Sequence, residues 1–280
     1  MPSPALSPWH MPCCFAPINP LHFDLYMPTP EAICVTDDST FWPWLTWSDF
    51  AQMPRKEEVV VVLPIAGFAD WGLGHAYDAE EQVLTNVLKH ALALKPAGLR
   101  ALVLPPLRFV LGPEAGCVFA VETPVAIGLI NETVSSIKAA GFSRVVLCNA
   151  SPWNEELVDA AARDLRIALG LQMFCVNLSA LKLDFHPVRS RSRREVQTLL
   201  TYLNQRNADP VPADADASAG GWSDERVRPL AGAAVPLAQA NIDGAAQLAA
   251  AAAHLVSLLG EIAARPPLPN GGAIVTRTYP

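Results

Sequence analysis

Strands and helices alternate along this chain in a way that predicts an α/β fold: a three-layer α/β/α sandwich with a mostly parallel central sheet. Three observations carry that expectation. Apolar runs rich in β-branched residues recur at 58–65, 99–104, 144–148 and 172–178. Their apolarity is continuous rather than alternating, as in strands buried on both faces of a parallel sheet. Helical patterns stand between them, and strand and helix in strict succession imply right-handed βαβ units with helices on both faces.

The elements follow in order. Residues 1–44 are a proline-rich extension with aromatics and little charge, which cannot form a helix. Its prolines restrict it to extended or turn conformations, and its Trp9, Phe15, Phe23 and Tyr26 suit an arm that docks on a surface or another subunit. Ordered folding is expected to begin at Leu45, with a short helix capped by Ser48. The run from Glu58 to Ile65 is the first buried strand, followed by a glycine-rich loop from Ala66 to His75. Asp78 is placed to cap the next helix, with Glu80 and Glu81 in its first turn. Val83, Leu84, Val87, Leu88 and Ala91 then recur at helical spacing.

Leu99 to Leu104 is a strand ended by Pro105-Pro106, and 126–140 is a helix ended by Gly141. Arg144 to Cys148 is a strand, Trp153 to Leu169 a helix ended by Gly170, and Gln172 to Leu178 a further strand. Ser192 to Asn204 is a helix. Residues 206–225, rich in Asp, Ala, Pro and Gly, read as a flexible insert. Asp243 to Ile262 is a long Ala/Leu helix, and 266–280 is a proline-containing tail.

The 280 residues are 51% apolar, enough for a sizeable core. A dispersed net charge of −7 disfavours nucleic acid as a partner. The one basic run, Arg189 to Arg194, reads as a solvated segment or a contact for an acidic group. The apolar stretch from Ala245 to Ala264 contains Gln247, His254 and Glu261, which suits a packed helix rather than a membrane span. The N-terminus lacks the early positive and apolar regions of a secretory signal. The six cysteines form no CxxC pair and no disulfide framework, so buried free thiols in a reducing cytoplasm are expected.

Four segments, taken in order and spacing, resemble the creatininase family. They are Leu45-Thr-Trp with the Val-Val-Val-Val-Leu-Pro-Ile-Ala-Gly run, Leu102-Val-Leu-Pro-Pro-Leu-Arg-Phe, Gly141-Phe-Ser-Arg-Val-Val-Leu-Cys-Asn, and Pro236-Leu-Ala with its closing helix. The resemblance covers Leu45 to about Ala264 and implies a creatininase-like α/β domain over 45–265. Members of that family hydrolyse small, often cyclic, amides with two divalent metals, zinc or manganese, and assemble as oligomers.

The family's ligand motifs are altered here. Its first, Gly-Ser-x-Glu-Gln-His-Gly, laid from Pro64 puts the glutamate on Ala69 and the histidine on Trp71. A following aspartate falls on Asp78 if two loop residues are missing and on Glu80 if none is. Its second, Asn-Gly-His-x-Glu-Asn, keeps the framing Asn149 and Asn154 but has Ser151 for the histidine and Trp153 for the glutamate. Alanine and tryptophan cannot ligate a metal, and serine is a poor ligand. The resemblance therefore implies a pocket of Ala69, Trp71, Asn149, Ser151, Trp153 and Asn154 without a metal or other cofactor. Two tryptophans at ligand positions suggest apolar filling of that site.

Three functions stay open. One is a non-catalytic subunit in a homo- or hetero-oligomer, partnered with an active creatininase-family paralogue. A second is a hydrolase of a small cyclic amide with a site rebuilt around His75, Asp78, Glu80 and Cys148. The third is a small-molecule binding protein that uses the Trp71/Trp153 pocket. His75 also reads as a loop residue, Asp78 as a cap and Cys148 as a buried structural thiol.

Overall fold

The computed structural model describes residues 39–69, 71, 75–112, 117–118, 120–186, 193–203 and 237–266. Expectations for the first 38 residues, for 189–192 of the basic run, for 206–225 and for the tail beyond 266 lie outside them.

Four parallel strands run in the order β3-β1-β8-β9, with a fifth, β4, also pairing with β1. They are β1 (Val60–Ala66), β3 (Ala101–Val103), β4 (Leu107–Arg108), β8 (Arg144–Asn149) and β9 (Gln172–Asn177). Every residue of β1 and β8 is buried, which is what covering both faces of a sheet requires. Val61, Leu63 and Ile65 point into one core with Val145, Leu147 and Met173. There they meet α3 (Thr123–Ala139) through Ala126, Ile130, Val134 and Ile137, and α4 (Glu155–Leu169) through Leu157, Val158, Ala161 and Leu165. Those residues recur at helical spacing on one face of each helix.

Val60 and Val62 alternate to the opposite face. That side carries α2 (Ala79–Ala93) and α6 (Leu237–Ala263), both against β1, and α5 (Arg193–Leu203) against α6 and α2. By length and composition alone α6 could cross a membrane. Here it buries Leu248, Ala251, Ala252, Leu255 and Leu259. Arg144, itself buried, joins that helix to the sheet. Its guanidinium donates to Gln172 Oε1 and to the carbonyls of Ala263 and Arg265, which satisfies orphan groups at the helix C-terminus.

A proline in a central strand should lose a ladder bond, yet Pro64 sits in β1. Val62 O accepts from Leu104 N and Ala66 O from Phe109 N, whereas Ile65 O accepts from Ala150 N. Pro64 therefore faces the same side as Val62 and Ala66. It lies opposite the break between β3 and β4, where Pro105-Pro106 leaves the sheet, so its missing N–H deprives no paired carbonyl.

From β1 the chain crosses through α2 to β3 in one direction. From β8 it crosses through α4 to β9 in the other, over the opposite face. The carboxyl ends of β1 and β8 thus flank the point where strand order reverses, the position at which open α/β sheets hold their sites.

Several boundaries differ from those expected. Order begins before Leu45: Phe41 is buried and bridges to Val103. The cap of α1 (Trp47–Gln52) is Thr46, not Ser48, because Thr46 and Asp49 form a reciprocal capping box. Helix α3 starts at Thr123, with Pro124 in its first turn where proline fits. Helix α4 starts at Glu155 rather than Trp153, and α6 starts six residues before Asp243. Short strands absent from the sequence reading brace the loops: β2 (Phe68–Ala69) with β6 (Cys117–Val118), and β5 (Val110–Leu111) with β7 (Ala120–Val121).

Candidate functional site

The loop after β1 and the loop after β8 meet at the reversal point, and Glu80 lies between them. It is the second residue of α2, 1% exposed, and its Oε2 accepts a hydrogen bond from Gly67 N at 2.8 Å. Burial pushes its carboxyl up to about 7, against the opposing pull of the Gly67 N–H, the Ser151 hydroxyl and the Trp71 indole. Glu80 Oε1, Trp71 Nε1 and Ser151 Oγ are all buried without a well-formed hydrogen bond. Trp71 and Ser151 thus stand near the carboxyl, outside hydrogen-bonding geometry.

This crowding leaves little room for a side chain at Gly67. A Cβ there would lie 3.0 Å from Glu80 Oε2, 3.1 Å from Ser151 Oγ and 3.2 Å from Val110 Cβ.

Trp71 fills the space beside Glu80. Its ring centroid is 5.5 Å from that of Trp153 and 5.8 Å from that of Phe185, in tilted and edge-on contacts. Trp71 is buried and Trp153 half-buried, and Ala69 is buried in β2. Gln197 of α5 holds the loop from the other side: its Oε1 meets His75 Nε2 at 2.7 Å and its Nε2 donates to Trp71 O.

The two asparagines of the second loop are braces. Asn149 Nδ2 donates to Ser151 O at 2.8 Å and to Asn177 Oδ1 at 2.9 Å, and Asn149 Oδ1 accepts from Ser151 N. Asn154 Nδ2 donates to Phe109 O at 2.8 Å, and its Oδ1 accepts from Leu111 N at 3.0 Å. Each amide side chain thereby satisfies backbone groups that would otherwise be orphaned in the interior.

The four catalytic candidates stand in different surroundings. Asp78 occupies the cap position of α2 but makes no cap hydrogen bond, because its backbone is not extended there. It accepts from Gln82 Nε2 instead. His75 is engaged by Gln197. Cys148 is fully buried within β8, and burial pushes its thiol up to about 12, so it stays protonated and is a poor nucleophile. Glu80 alone lies among the pocket residues. Among the described residues, no three His, Cys, Asp or Glu side chains are grouped to hold a metal ion.

The sequence reading did not single out Gly67, Phe185, Gln197 or Asn177. Gly67 had a signal, standing where a strand gives way to a tight turn. Phe185 and Gln197 come from distant segments and had none.

A sequence model of the family described as creatininase, creatinine amidohydrolase, matches residues 44–222. The chain belongs to the creatininase family. Solved structures share its fold. One is a Bacteroides fragilis NCTC 9343 protein crystallised as a creatinine amidohydrolase candidate, 14% identical, with a TM-score of 0.59 over 82% of this chain and 98% of that one. Another is a creatinine amidohydrolase (creatininase), 17% identical, TM-score 0.55, over 82% of this chain and 100% of that one. A third, a creatininase designated Mn, is 17% identical with a TM-score of 0.57, over 81% and 100%. No curated protein matches the chain. At these identities the structures establish the creatininase fold and nothing about chemistry.

Proposed function

We propose that this creatininase-family chain is a non-catalytic member that serves as a subunit or partner of an active family amidohydrolase. The observation that carries this reading is the buried Trp71 ring, packed against Trp153 and Phe185 at the carboxyl ends of the central strands. A large apolar ring excludes water and substrate from a position where hydrolysis needs both.

The donor chemistry around Glu80 supports the same reading. A divalent cation needs lone pairs from about three protein ligands and an open position. The described groups facing Glu80 are the Gly67 N–H, the Trp71 N–H and the Ser151 hydroxyl. The two N–H groups have no lone pair to give a metal, and a neutral serine hydroxyl is a poor ligand. Ala69, Trp71, Ser151 and Trp153 stand at the positions where the family motifs carry ligands, and this set does not fit a two-metal centre.

The alternative of a rebuilt hydrolase for small cyclic amides has less support. Glu80 has a carboxyl that exchanges protons near neutrality, but it is enclosed. Cys148 is a protonated thiol inside a strand.

Co-expression with a family member that retains both ligand motifs tests the proposal. A stable mixed assembly by light scattering, with turnover abolished only when the partner's ligands are removed, is the expected result. Turnover of small cyclic amides by this chain alone, lost in Glu80→Gln, would replace the proposal with the rebuilt-hydrolase reading.

A further inference from the structure

The two edges of the central sheet are finished differently. At β3 the chain ahead of α1 lies along the strand: Phe41 bridges to Val103, and Thr40 O accepts from Val103 N. The other edge is β9, and no described strand pairs with its outer side.

Register determines which of its groups face outward. Gln172 N donates to Ser143 O, so Gln172, Phe174 and Val176 turn their backbone groups towards β8. Met173, Cys175 and Asn177 turn theirs away. The Arg166 guanidinium covers Met173 O. The N–H and C=O of Cys175 and the N–H of Asn177 have no hydrogen-bond partner among the described residues. Burial agrees: every residue of β8 is buried, whereas Phe174 and Cys175 of β9 are half-exposed. A bare edge of this kind is a template for a further strand.

The sequence supplies one. Helix α6 ends beside the amino end of β9: Arg144 and Gln172, which open β8 and β9, bond the carbonyls of Ala263, Arg265 and Pro266. The Arg265 guanidinium lies 5.5 Å from the centroid of the Phe174 ring. A helix that returns to the amino end of a parallel sheet is the crossover before another parallel strand. After Pro266 comes Pro-Leu-Pro-Asn-Gly-Gly, a turn composition, then Ala273-Ile-Val-Thr-Arg-Thr-Tyr279. Five of those seven residues are β-branched or aromatic, and none is proline. Their number suits the six residues of β9, and Arg277 is a residue that edge strands carry. Residues 267–272 can span up to about 20 Å, against about 4.8 Å between neighbouring strands.

We propose that residues 273–279 pair in parallel with the outer edge of β9, as a further strand of the central sheet. The pairing does not depend on the reading of the Glu80 cluster, and each is tested separately.

Amide hydrogen exchange of the full chain, followed residue by residue by NMR, tests it. The outward amides of Cys175 and Asn177 should be protected, as the inward amides of Phe174 and Val176 are. Val275→Pro combined with Thr276→Pro removes the N–H from two successive residues, one of which points at β9 in any register. In that variant, and in one lacking residues 267–280, exchange at Cys175 and Asn177 should accelerate at least tenfold while Phe174 and Val176 stay unchanged. Free exchange of Cys175 and Asn177 in the full chain would overturn the proposal, as would protection that survives both variants. Equal acceleration at all four amides would mean general loosening and would count against it too. Protection that grows with protein concentration would give the edge to a second copy of the chain and overturn it as well.

Discussion

The rings of Trp71 and Trp153 lie with centroids 5.5 Å apart and planes inclined by 51°, one fully buried and the other half-exposed. They come from loops that follow different strands. Their contact ties the carboxyl end of β1 to that of β8, across the point where strand order reverses. Trp71→Ala should therefore leave a large cavity and cost about 3–5 kcal/mol by denaturant titration. Trp153→Ala should cost less. The double variant should fall short of the sum by about 0.5–1.5 kcal/mol if the ring contact is favourable. Strict additivity would mean that the rings are neighbours without mutual stabilisation.

Glu80 gives a pH signature. Its folded-state pKa of about 7 is raised above the ordinary 4.5, so the protonated form favours folding. That contribution is complete below the unfolded value and is lost as pH rises through about 7. Relative to wild type, Glu80→Gln should lose this pH dependence and gain up to roughly 3 kcal/mol at pH 8 compared with pH 4. Parallel stability curves for the two proteins across that range would show that Glu80 is ionised in the fold at neutral pH.

Asn154 bonds the backbone on both sides of Val110, at Phe109 O and Leu111 N. Asn154→Ala leaves a buried carbonyl and a buried N–H unpaired and should cost about 2–4 kcal/mol. Asn154→Asp keeps the acceptor but sets a carboxylate against Phe109 O, so it should not rescue the loss. An unchanged thermal midpoint in either variant would remove the brace from the account.

Gly67→Ala drives a methyl group to within 3.0–3.2 Å of Glu80, Ser151 and Val110. A cost of about 1–3 kcal/mol is expected. Pairing it with Ser151→Gly should recover part of that loss, since the second change removes one of the crowded atoms. Failure of the pair to recover anything would locate the strain elsewhere.

The layers of this fold were legible because β1 and β8 are apolar without interruption and α2 repeats at helical spacing. The meeting of Trp71 with Trp153 was legible only through the family motif, which places both loops at one site. Phe185 was not, since nothing local marks a phenylalanine in an irregular segment as the third ring of a cluster. Asp78 does stand at the cap position of α2, but neither it nor Ser48 caps a helix through its side chain, for a local reason. Ser48 and Asp78 have the right side chains, but Thr46 gains from the reciprocal bond with Asp49, and Asp78 has a backbone that turns its carboxylate towards Gln82. The short strands β4 to β7 are too brief to leave a periodic signal.

On the proposed reading, a plug of aromatic rings has replaced the family's metal chemistry. Elemental analysis of the chain, expressed with zinc and manganese supplied and purified without chelator, tests it most directly. The account predicts no stoichiometric zinc, manganese or iron. One or two metal ions per chain, lost in Asp78→Ala or His75→Ala, would contradict it.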